Sequence, residues 1–278
     1  FPFFFMLAGA TLLDYRKRYS TEEFFAKRIN KTVIPIVFWS ILGIVFNYLM
    51  GSVDVGIFTP LNIIDSIINT KANGETYWVF ICLYTIYLAI PVLTLIPEEQ
   101  RKGAFSYIIL GFIILNVTLP LISSLSNYVI PWNIGVIMPI GANFVIYVLI
   151  GYYIDKYEIK KSTRILIYVL GFLALLLHML GTLYLSFRDN ALNETFKGHM
   201  GLSCIVYSSA IFLFFRNLKD SKFKTFLYNA ASLFRKQTFG IYLIHYFIIA
   251  TIRKFITFND FNFRYRILLA LVTFLTSW

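Results

Sequence analysis

Residues 22–39 read EEFFAKRINKTVIPIVFW, and this stretch decides the fold. It joins a basic, helix-prone segment directly to an apolar run long enough to cross a bilayer. Lys27, Arg28 and Lys31 fall within one turn, because i,i+3 and i,i+4 spacings share a helix face. Thr32 is placed to cap the helix that follows, with Pro35 in its first turn, where proline is tolerated. The plainer reading of the cations is a topological anchor, as the positive-inside rule requires of such loops. The sharper reading is a set of charges at the membrane surface, ready for an anionic ligand.

Working outward, the composition fits that reading. Of 278 residues, 58% are hydrophobic, 19% aromatic and only 14% charged, against about 25% charged in an ordinary soluble chain. The 29 Phe and 19 Tyr suit lipid-facing packing and interfacial belts. The fold class expected is all-α, a polytopic transmembrane helix bundle. The net charge of +11 sits in short loops between apolar runs, which points to anionic headgroups and topology and away from nucleic acid. Cys82 and Cys204 lie inside apolar runs and read as packing residues, neither disulfide-bonded nor metal-bound.

Whole spans are expected at about 33–51, 77–96, 104–122, 136–154, 165–185, 199–215 and 239–252. Residues 1–13 and 267–278 read as partial spans, so about nine helices are visible and the chain is expected to be an internal piece of a longer protein, one integral membrane domain incomplete at both ends. If 14–32 is cytoplasmic, the loops on that side (with 97–103, 155–164 and 216–238) hold 18 of the 25 Lys and Arg, a clear positive-inside bias. Arg253, Lys254, Arg264 and Arg266 run against it. Two loop segments read as surface helices: Thr59-Pro60 starts one with an Ile63, Ile64, Ile67, Ile68 stripe, and Phe226, Leu227, Ala230, Ala231 and Phe234 form another flanked by Lys222, Lys224, Arg235 and Lys236.

All 14 Asp and Glu lie outside the whole spans. Ion-coupled transport usually needs carboxylates within the bilayer, so that class loses ground. The titratable groups inside apolar runs are histidines: His178 in mid-span, His245 in GIYLIH (240–245), and His199 at the start of a span. Each is a functional candidate, since burying an ionisable group without a partner is costly, and each has the plainer reading of a neutral imidazole bonded to a neighbouring helix. No histidine pair has metal-ligand spacing, and no nucleotide or hydrolase motif occurs. In NGETYWVF (73–80), Tyr77 and Trp78 are interfacial-belt residues by position, and Glu75 is either a solvated residue or an acid at a sugar-binding mouth.

Taken together, FFFMLAGATLL (3–13), EFFAKRINKTVIPIVFW (23–39), ETYWVFICLYTIYLAIPVL (75–93), YVLIGYYI (147–154) and TFGIYLIHYFII (238–249) resemble, in that order, the membrane-bound acyltransferase 3 family. Each motif is short, but the ordered set covers nearly the whole chain. Such proteins have ten helices, and the spans here are similar to helices two to ten. Two departures stand out: Lys31 replaces the second Arg of an Arg-x-x-Arg turn, and Ala8 stands where Ser is usual before Gly9. Lysine keeps the charge but loses the bidentate fork.

The resemblance implies an O-acyltransferase of the bacterial cell envelope. It would move an acyl group, commonly acetyl, from cytoplasmic acyl-CoA to a hydroxyl of an outward-facing surface glycan or lipid-linked sugar. No bound cofactor is implied; acyl-CoA is a substrate, and membrane lipids are the surroundings. The Arg-x-x-Arg turn maps to Arg28 and Lys31 on the donor side, with Lys27 beside them, in a plasma membrane with loop 14–32 cytoplasmic. The family's essential histidine belongs to its first helix, which this chain does not contain. Imidazole suits a general base for a hydroxyl near neutral pH, and His245 is the candidate within this chain, supported by Tyr242 and His178. Trp78, Tyr77, Glu75 and Asn73 stand on the acceptor side. The alternatives are an exporter of polysaccharide or lipid-linked sugar and a non-catalytic partner subunit.

Overall fold

The computed structural model describes residues 2–74, 76–126, 129–133, 135–140, 144–234, 237–255 and 263–277. Among them all regular structure is helical. In chain order the helices are α1 (Pro2–Leu12), α2 (Thr21–Arg28), α3 (Ile34–Leu49), α4 (Pro60–Ile68), α5 (Trp78–Leu93), α6 (Glu98–Phe112) and α7 (Leu119–Leu125). They continue with α8 (Val145–Lys156), α9 (Lys161–Leu176), α10 (Thr182–Asp189), α11 (Leu202–Arg216), α12 (Lys222–Phe234), α13 (Thr238–Phe255) and α14 (Phe263–Ser277).

Three pairs are continuous across a π-turn. Ile29–Val33 joins α2 to α3, Ile113–Thr118 joins α6 to α7, and Leu177–Gly181 joins α9 to α10. The resulting helices Thr21–Leu49, Glu98–Leu125 and Lys161–Asp189 are the three among the described residues that are long and apolar enough to cross a membrane. Shorter apolar helices cover Trp78–Leu93, Leu202–Arg216 and Ile267–Ser277. Over the described residues the protein is thus all-helical, with helices fit to cross a membrane.

The first π-turn corrects the expectation for Thr32. Thr32 does not cap a new helix: its hydroxyl donates back to the Arg28 carbonyl at 2.7 Å inside an unbroken helix. The cause is Pro35, which has no N–H to donate and whose ring would strike the carbonyl four residues upstream. Widening the turn before it absorbs the clash without ending the helix. Pro120 stands in the same relation to the second π-turn. A second correction concerns the span expected at 136–154. Its helix begins only at Val145, since the chain before it carries Gly135 and Pro139, which break a helix. Thr59 does cap α4, accepting from the Asn62 N–H at 3.4 Å, and Ile64 and Ile68 of that helix remain exposed. Of the flanks expected for α12, Arg235 and Lys236 and the Phe234 side chain lie outside the described residues.

The chain forms two compact units. Unit 1 comprises residues 1–24 and 82–218. Its α1 crosses α8 so closely that a Cβ at Gly9 would lie 2.0 Å from the Val148 carbonyl oxygen, and one at Gly151 would lie 2.1 Å from that of Met6. Small residues at such crossings let helices gain dispersion contact where the hydrophobic effect is weak. Gly171 of α9 serves the same purpose against Ala210 of α11. Unit 2 comprises residues 25–81 and 219–278. There α3 packs against α4 and α13, and α13 against α14.

Candidate functional site

In unit 2, α3 buries Ile36, Ser40, Gly43, Ile44 and Asn47, spacings of three and four that make one stripe. The stripe faces the segment before α5. Asn47 Nδ2 donates to the Ala72 carbonyl at 2.9 Å, and Asn73 Nδ2 to the Trp39 carbonyl at 3.4 Å. The approach depends on Gly43, where a Cβ would stand 2.5 Å from the Ala72 carbonyl oxygen. Thr70 and Gly74 both have positive φ, which folds the segment tightly. Gly74 is doubly required, because a Cβ there would also meet the Tyr246 ring at 2.6 Å.

Helix α13 closes on this segment from the other side. Tyr77 Oη donates to the Leu243 carbonyl at 2.6 Å, and Tyr242 Oη donates to the Thr76 carbonyl. Tyr246 Oη donates to Asn47 Oδ1 at 2.8 Å. The rings of Tyr77 and Tyr242 stack at 6.3 Å, and Phe80 packs edge-on to Tyr242 at 5.2 Å. Tyr77 is fully buried, so its hydroxyl serves the helix contact. His245 Nδ1 lies against the Tyr242 carbonyl. A carbonyl oxygen only accepts, so Nδ1 is the donor in this contact, and in the tautomer that makes it the ring's lone pair is on Nε2.

Among the described residues, Asn73 Oδ1 and Ser40 Oγ of this region have no hydrogen-bond partner, on residues that are 0% and 1% exposed. Burying such atoms unpaired costs about 1–3 kcal/mol each, and their position marks where a further hydrogen-bonding group would be stabilised.

The basic turn lies on the same long helix. Lys27 and Lys31 are exposed and Arg28 is half-buried. At about 1.5 Å per residue, Trp39, whose carbonyl meets Asn73, lies about 16 Å along the helix from Arg28. The structure therefore brings His245, Tyr242, Tyr77, Trp78 and Asn73 to one region of unit 2, with Lys27, Arg28 and Lys31 about half a membrane away. Glu75 lies outside the described residues. His178 belongs to unit 1, in the α9–α10 π-turn, where Nδ1 bonds the Phe196 carbonyl at 2.8 Å and the ring packs against Tyr207.

Sequence reasoning missed an ionic cluster at one end of unit 1. Arg101 is 7% exposed. Its guanidinium donates to the Ile96 and Thr94 carbonyls at 2.9 and 3.1 Å, to Asp14 Oδ1 at 3.1 Å and to Tyr152 Oη at 3.3 Å. Lys156 bridges Asp14 and Glu98 at 2.9 and 3.3 Å, and Lys17 pairs with Glu98. Burial pushes the Asp14 carboxyl up, but the hydrogen bond and charge of Lys156, with the charges of Lys17 and Arg101, outweigh it and hold the group below its ordinary value. Arg216 pairs with Asp155 at 2.7 Å. Residues 14–17, 97–101, 155–156 and 216, at helix ends and in the turns beside them, thus share one end of unit 1. The only signal in the sequence was that these residues are charged, which gives no pairing.

No curated protein and no solved structure matches the chain. The model of the acyltransferase 3 family, described as an acyltransferase domain, matches residues 1–278. That match covers every element described above, including the Gly9–Gly151 crossing and the His245 helix, so the chain belongs to the acyltransferase 3 family and is a membrane acyltransferase.

Proposed function

We propose that this protein takes an acyl group, acetyl being the simplest, from acyl-CoA on the cytoplasmic face of the plasma membrane and esterifies a hydroxyl of a glycan on the outer side. The observation that carries the reading is the buried polar region of unit 2. There an imidazole with its Nε2 lone pair available lies on the same short network as the unpaired Asn73 Oδ1.

In this reading Lys27, Arg28 and Lys31 hold the phosphates of the donor. Arg28 offers the bidentate fork and the lysines act as point charges. The extended thioester arm of CoA covers the distance along α3, and its acyl carbon meets the acceptor beside α13. Asn73 Oδ1 accepts a hydrogen bond from the sugar, and the Trp78 face packs on its ring. His245 Nε2 removes the hydroxyl proton as the oxygen attacks the thioester carbon. The tetrahedral intermediate collapses with cleavage of the C–S bond, the thiolate takes the proton back from the imidazolium, and CoA and the ester are released. Tyr242 fixes the ring through its carbonyl and so acts as a positioning residue.

The test is glycan ester content in cells expressing matched protein levels. His245→Ala is expected to lower it by at least about 100-fold, the usual contribution of a general base, and His199→Ala by far less. Equal ester content in the two variants would remove His245 from the chemistry. Undiminished glycan export in cells that have lost all ester would separate this reading from an exporter.

A further inference from the structure

Helices α6, α8, α9 and α11 of unit 1 wall a recess of about 560 Å³, within the size range of ligand sites. Two helix stripes define its character. On α6 it runs Lys102, Ser106, Ile109, Leu110, Ile113, and from the start of α9 it runs Lys160, Thr163, Ile167, Leu170. Both spacings keep to one helix face. Both helices leave the charged end of unit 1, so each stripe changes from cationic to aliphatic in the same direction.

A second cavity, of about 310 Å³, shares Ile154, Glu158 and Ile159 with the recess and adds Lys156, Arg164 and Arg216. These three cations already have partners: Asp14 and Glu98, Asn217, and Asp155 respectively. The two lysines of the recess are less committed. Among the described residues, the Lys102 ammonium stands over the Tyr157 ring at 5.6 Å and makes no ion pair, and the Lys160 side chain makes none either. Tyr157 lines the second cavity, and its hydroxyl is buried with no hydrogen-bond partner. Glu158 is the one carboxylate in the wall of the recess, so its mouth keeps a positive balance above an apolar slot.

We propose that this recess binds an anionic phospholipid of the bilayer, with the phosphate between Lys102 and Lys160 and one acyl chain along the two aliphatic stripes. The charge order of the stripes favours such an amphiphile: an apolar partner would leave the lysines unpaired, and a small anion would leave the slot empty. The recess is built from residues of unit 1, and the inference does not depend on the roles proposed for residues of unit 2.

Native mass spectrometry of the full chain tests this, using phosphatidylglycerol and phosphatidylcholine of equal chain length. Phosphatidylglycerol is expected to be retained preferentially. The pair Lys102→Ala and Lys160→Ala should weaken its binding about thirtyfold, since each surface cation contributes about fivefold. Leu110→Trp, at a position 60% exposed and so open to a larger side chain, should weaken it by filling the slot while leaving both charges. Shortening the lipid chains should do the same on the unaltered protein, which keeps the test independent of how the variants fold. Equal retention of the two lipids, an unchanged double variant, or competition by inorganic phosphate as effective as by lipid would overturn the proposal.

Discussion

Asp14 shows how much a single carboxylate can organise. It accepts from Arg101, Lys156 and Tyr152, and so ties the chain after α1 to the start of α6 and the end of α8. Removing Arg101 would leave that carboxylate and several carbonyls short of a partner, a defect of about 3 kcal/mol for a largely buried pair. The pH consequence follows from the sign of the Asp14 shift. Its folded value lies below the ordinary 3.8, so the ionised form stabilises the fold at higher pH, and that stability is lost as pH falls through the folded value. The thermal midpoint of the wild type is therefore expected to drop between about pH 5 and about pH 3, and that of Asp14→Asn to drop less over the same interval. Parallel profiles would show that the cluster contributes no linkage. None of this pairing was legible in the sequence, because residues 14, 98, 101 and 156 become neighbours only when three helix ends converge.

At the scale of elements, glycines and prolines explain most of what local patterns left open. Ala8-Gly9 and Gly151-Tyr152-Tyr153 were legible as motifs of a resemblance, and their physical reason appears in the α1–α8 crossing, where each glycine lies against the backbone of the other helix. Gly151→Ala must push α1 away from α8, at about 1–3 kcal/mol or more. It should lower the thermal midpoint in detergent well beyond Gly103→Ala, where nothing lies within 4 Å of the added Cβ. Equal midpoints would mean that the crossing relaxes freely. Apolar length and spacing were enough to mark the helical segments, of which three among the described residues are long and apolar enough to cross a membrane. They were not enough to join α2 to α3, because a proline in an apolar run reads as a helix start unless the π-turn before it is known. The contacts of Tyr77 and Tyr246 were likewise out of reach, because they bridge segments 166 and 199 residues apart.

For the whole molecule, the positive-inside rule reads the excess of Lys and Arg in alternate segments as an orientation with 14–32 cytoplasmic; unit 1 gathers residues from four of those segments at one end. Helix Lys161–Asp189 has 29 residues, about 43 Å at ~1.5 Å each, enough to cross a hydrocarbon core of about 30 Å. A cysteine at Lys161 should react with impermeant thiol reagent only from the cytoplasmic face, and one at Asn193 only from the other; labelling from a shared face would reverse or refute the topology. The membrane class, the ordered motifs and the basic turn were readable from residues alone, whereas the contacts of residues 73–78 were not: Tyr77 proves to be committed to α13, and Asn73 holds a buried oxygen with no partner among the described residues. The central claim, that the basic turn of α2 delivers an acyl-CoA donor to a membrane-embedded acyl transfer, meets its most direct test in proteoliposomes. Full-length protein there is given acetyl-labelled acetyl-CoA on the Arg28 side and glycan acceptor on the other. Alkali-labile label on the glycan is expected from the wild type and less than about one-hundredth of it from the Arg28→Ala, Lys31→Ala pair at equal protein insertion, because two charge-assisted phosphate contacts are lost at roughly 1.5–3 kcal/mol each. Label transfer by the double variant at the wild-type rate would contradict the account.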